Sequence, residues 1–108
     1  MNSKINQEFE LAMNFVLSAT ESYMTVSDSK AEKIDNNEYA SVVEAVEKLV
    51  SLSAKTENKV VLEIVNAAKE FLSSIELVDS KAKIYSIDPK KAEVYNSLMK
   101  KLIVSYSA

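Results

Sequence analysis

From about residue 3 to residue 25, apolar side chains recur at Ile5, Phe9, Ala12, Val16, Ala19 and Tyr23. Those steps of four and three trace the seam of a packed helix. Met13, Leu17 and Met24 form a second row beside it, and Leu11 and Phe15 extend the opposite flank. Only Gln7, Glu10, Asn14, Ser18 and Glu21 remain as a clear polar stripe. A helix with so narrow a polar face sits centrally among its neighbours or is covered by a partner.

Residues 26–38 are polar and read as a connector holding one short turn around residues 30–34. Asp35 followed by Glu38 has capping-box spacing, and Asn36 or Asn37 could cap equally well, so a second helix is expected over 37–55. Its inward positions are Tyr39, Val42, Val43, Val46, Leu49 and Val50, and Glu44 and Lys48 form an i,i+4 pair on its surface. Thr56 is the expected N-cap of a third helix over 57–78, with Val61, Ile64, Ala68, Phe71, Ile75 and Val78 at heptad spacing. No Pro or Gly separates the second and third helices, so one continuous helix of about 40 residues is the alternative. Two helices are favoured because globular helices are usually much shorter.

Residues 79–87 alternate polar and apolar around Ile84, Tyr85 and Ile87. A lone strand would have no partner, so the stretch reads as a linker pinned by apolar side chains. Asp88 and Pro89 supply an N-cap and a first helical residue. The last helix, 89–106, carries Ala92, Tyr95, Leu98, Met99, Leu102, Ile103 and Tyr106 on one side. The expected fold is all-α: an antiparallel up-down bundle of about four helices, forming a single helical domain over residues 1–108.

Composition sharpens that picture by what it lacks. The chain has no Gly, Arg, His, Cys or Trp. Its eleven alanines argue against codon bias as the whole reason for the missing glycines. Glycine is the usual residue for positive-φ turns and phosphate-cradling loops, so P-loop, dinucleotide and calcium-loop motifs are excluded, and tight hairpins are not expected. Without His or Cys the usual zinc sets, haem ligand pairs and nucleophile–histidine dyads are also excluded. Glu63 with Glu70, and Glu44 with Glu47, read as solvated surface charges. No catalytic, cofactor or metal site and no small-molecule substrate is expected.

Charge divides the chain unevenly. Residues 1–80 hold seven lysines against fourteen acids, whereas residues 81–108 hold six lysines against two. Lys90, Lys100 and Lys101 form a weakly basic face on the last helix, suited to an acidic partner. The pI near 5 and the lack of Arg argue against nucleic-acid binding, except as backbone contacts within a larger complex. Glu8 and Glu10 do not fit a secretory signal, and no apolar run reaches membrane-spanning length. A cytoplasmic protein is expected.

Surplus apolar surface carries the functional expectation. Leu11, Met13, Phe15, Leu17 and Met24 of the first helix, with Leu62 and Leu72 of the third, exceed what a small bundle must bury. They are the candidate protein interface, with Ser22 at the edge of the first-helix patch. In size and helix order the layout resembles small helical bacteriocin-immunity proteins and small helical phage inhibitors, though no motif is shared. The expected function is a non-enzymatic inhibitor or adaptor that binds another protein, a second copy of itself, or both. The alternative is a structural subunit of a filament, capsid or nucleoprotein complex.

Overall fold

Helix dominates the structure, a computed structural model that describes residues 3–24 and 32–107, with side chains over 7–23 and 33–106. In chain order the elements are α1 (Ser3–Met24), β1 (Glu32–Ile34), α2 (Asn36–Leu52), α3 (Lys59–Ser73), β2 (Glu76–Asp79), β3 (Ile84–Ile87) and α4 (Pro89–Ser107). Expectations for residues 26–31 and for the side chains of Ile5 and Met24 lie outside the described residues.

Polar side chains set the helix starts. The Asp35 carboxylate accepts from the Glu38 backbone N–H at 2.9 Å, which fixes the first turn of α2. Asp88 accepts from Lys90 N–H at 2.9 Å, with Pro89 in the first helical position of α4. Asn58, rather than Thr56, caps α3 by accepting from the N–H groups of Val60 and Val61. Thr56 instead accepts from Asn58 N–H at 3.2 Å and shapes the approach. Ser53 ends α2, its hydroxyl donating to the Val50 carbonyl at 3.1 Å. Two helices therefore stand where one continuous helix was the alternative.

The third helix is shorter than heptad spacing implied. It stops at Ser73, and the Ser74 hydroxyl donates to the Phe71 carbonyl at 2.6 Å. Ile75 is still buried, but Val78 is exposed on β2. The expected linker over 79–87 is also corrected, because β2 and β3 form an antiparallel hairpin. Its turn works without glycine. Asp79 accepts from the N–H groups of Lys81 and Ala82, both at 3.0 Å, and Lys83 takes the positive φ of 56° that glycine usually supplies. That geometry costs a non-glycine residue roughly 1–2 kcal/mol, which cross-strand pairing offsets. On the other edge of β3, β1 pairs antiparallel and sets Ile34 opposite Tyr85. The order is β1-β3-β2, so the fold is mostly helical with a small three-stranded sheet rather than purely α.

The core runs between the helices and reaches the sheet through Ile34 and Ile87. Stacking of Tyr39 on Tyr85, with ring centroids 3.8 Å apart, fastens α2 to β3. α1 packs against α2 and α4, and α3 packs against those same two helices. One groove is lined by residues of α1 and α2 and another by residues of α3 and α4.

Candidate protein interface

α1 is the element that positions the candidate surface, and its two flanks differ. On the α4 side, Thr20 and Asn96 are buried polar residues. The Thr20 hydroxyl donates to the Leu17 carbonyl at 2.7 Å, and the Asn96 amide donates to Thr20 Oγ1 at 3.2 Å. Phe9 meets Tyr106 with centroids 5.6 Å apart. The Tyr106 hydroxyl is held above its ordinary pKa of 10.0, first by burial and then by the charge of Glu10. At the rim, Lys100 and Glu21 approach to 3.8 Å. This flank is closed.

On the α2 side the helix leaves apolar surface uncovered. Leu11 is 72% exposed and Phe15 45% exposed, one helical turn apart. They border a groove of about 290 Å³ whose lining includes Ala12 and Ala45, with Glu8, Glu44 and Lys48 along it. The two alanines are buried and small, so the helices leave a depression between them. Glu44 and Lys48 line that groove but are not joined by an ion pair, unlike Lys100 and Glu21. Chemically the site offers two large apolar side chains beside a partly acidic rim.

The other expected surface residues divide between surface and core. Met13 is only 2% exposed and belongs to the core, because the turn carrying Phe9, Ala12 and Val16 also carries Met13 inward. Leu17 and Leu72 are half-buried against the core. Leu62 is exposed on α3, away from the α1–α2 groove. Ser22 is exposed near the end of α1. Lys90, Lys100 and Lys101 are all exposed on α4, with Lys100 directed to Glu21.

Sequence patterning missed two features here. Thr20 and Asn96 were invisible because a polar residue one position off an apolar seam reads as surface. Val94 and Leu98 are exposed one turn apart on α4, although Leu98 was expected to face inward. Between α3 and α4 lies a broader open groove of about 770 Å³, lined by Lys69, Glu70, Lys91, Val94 and Tyr95 among others. Among the described residues, no cluster of three or more acidic residues could hold a metal ion. No described helix is long and apolar enough to cross a membrane. Comparison with protein-family models, curated proteins and solved structures finds no match to this chain.

Proposed function

We propose that this chain is a non-enzymatic interaction module, an antiparallel four-helix bundle whose α1–α2 groove docks another protein, a second copy of the chain included. It would act as an inhibitor or adaptor, by covering a partner's surface rather than by chemistry. The observation that carries this reading is the uncovered pair Leu11 and Phe15 beside a groove, on a helix that is otherwise well packed. Apolar side chains gathered at one place on a small protein's surface mark contact sites more often than scattered ones do. The helix packing order and the short link between α2 and α3 support the antiparallel arrangement. A structural subunit of a larger assembly is the second reading, favoured by the basic face of Lys90 and Lys101 left exposed on α4.

Phe15→Asp tests the proposal, because Phe15 is exposed enough for the fold to accept a charge there. The expected result is loss of self-association by size-exclusion light scattering, with the wild-type circular dichroism spectrum retained. A variant that unfolds would assign Phe15 to the core. A folded variant that still assembles like the wild type would remove the groove from the binding surface.

A further inference from the structure

Charge is distributed unequally between the two helix pairs. α1 and α2 carry six glutamates against two lysines, whereas α3 and α4 carry six lysines against three glutamates. Each pair packs together and lines a groove of its own, so the asymmetry is spatial as well as sequential. Each pair also presents two uncovered apolar residues at i,i+4 spacing. On the acidic pair they are Leu11 and Phe15 of α1, beside Glu8 and Glu44. On the basic pair they are Val94, 63% exposed, and Leu98, 37% exposed, on α4. Lys90 and Lys91 lie one turn before Val94, and Lys101 lies one turn after Leu98.

We propose that the α1–α2 groove of one copy receives the α4 ridge of a second copy, in a head-to-tail contact between unlike faces. Val94 and Leu98 would enter above the floor made by Ala12 and Ala45, against Leu11 and Phe15. The ridge lysines would then meet Glu8 and Glu44. Opposite charges at an interface favour encounter and fix register, while like-charged approaches of groove to groove or ridge to ridge are suppressed. Lys48 in the groove and Glu70 beside the ridge reduce the contrast without reversing it. Because groove and ridge are built from different helices, a pair joined this way keeps one free groove and one free ridge. Unlike a two-fold dimer, such a contact continues into a chain of copies unless its rotation closes a ring. Salt should weaken it, since the charges at its edge are exposed.

This inference rests on the docking groove proposed above and adds the identity of its occupant. Its test uses the full chain and two variants, Phe15→Asp in the groove and Val94→Asp on the ridge, with circular dichroism confirming that both are folded. In sedimentation velocity at low salt, the wild type should form species larger than a dimer that grow with concentration and shrink as salt is added. Each variant alone should be monomeric. An equimolar mixture should give a heterodimer and nothing larger, because the mixture retains one intact groove and one intact ridge. Assembly abolished by Phe15→Asp but untouched by Val94→Asp would overturn the head-to-tail contact while leaving the groove as a binding site. Assembly untouched by Phe15→Asp would overturn both. A wild type that stays monomeric at every concentration and salt would overturn the self-docking. Should either variant unfold, charge reversal provides the same test: Glu8→Lys with Glu44→Lys should lose assembly, and mixing with Lys91→Glu/Lys101→Glu should restore pairing. No restoration would overturn the contact.

Discussion

The two flanks of α1 are built from the same helix yet do opposite things with their side chains. Toward α4, a buried amide donates to a buried hydroxyl that in turn donates to the Leu17 carbonyl, an aromatic pair closes the seam, and an ion pair sits at the rim. Toward α2, small alanines leave a depression, and Leu11 and Phe15 stand beside it with most or nearly half of their surface in water. Phe9 and Phe15 make the contrast concrete: both are phenylalanines on α1, but Phe9 is buried and Phe15 is open. Apolar character alone does not decide which side is core. What decides it is whether the facing helix supplies bulk or leaves room.

The closed flank is the costlier of the two to break. Thr20→Val keeps the shape but removes the nearer acceptor of the Asn96 amide, leaving it the Leu17 carbonyl at 3.5 Å, a loss of about 1–3 kcal/mol in denaturant unfolding. Adding Asn96→Leu should recover most of that loss, because both partners are then apolar. If the double variant is no more stable than Thr20→Val, packing rather than the weakened amide bonding causes the loss.

A smaller effect concerns Tyr106, which belongs to the same flank. Its folded pKa lies above the ordinary 10.0, so the folded state favours the protonated phenol. That contribution is fully present below the ordinary value and is lost as pH rises through the folded one. Stability should therefore decline above about pH 10 more steeply for the wild type than for Tyr106→Phe, as measured by thermal melts across that range. The exposed Lys100–Glu21 pair on this flank should contribute little by comparison.

Much of this architecture was legible from residue pattern. Period-3.5 spacing placed the four helices, and Asp35 and the Asp88–Pro89 pair marked two of their starts, because capping chemistry is local. The hairpin was not legible. Absence of glycine argued against a tight turn, but Asp79 and a left-handed Lys83 replaced it, and the pairing partner of β1 lies more than fifty residues away. Val78 fitted a heptad and became an exposed strand residue for the same reason, since strand pairing overrode helical phase. At the candidate site, patterning marked Leu11 and Phe15 as surplus but counted Met13 with them. Two adjacent apolar rows on a helix look alike in sequence, and only the facing helix separates them.

On this reading the open flank of α1 is contact surface while the neighbouring seam is core. Side-chain NMR of the wild-type chain under serial dilution separates the two. The Leu11 methyl and Phe15 ring signals should shift and sharpen as copies separate, while the buried Val16 methyls stay in place. Leu11 and Phe15 signals that remain unchanged across the series, in a chain that is dissociating, would contradict that reading.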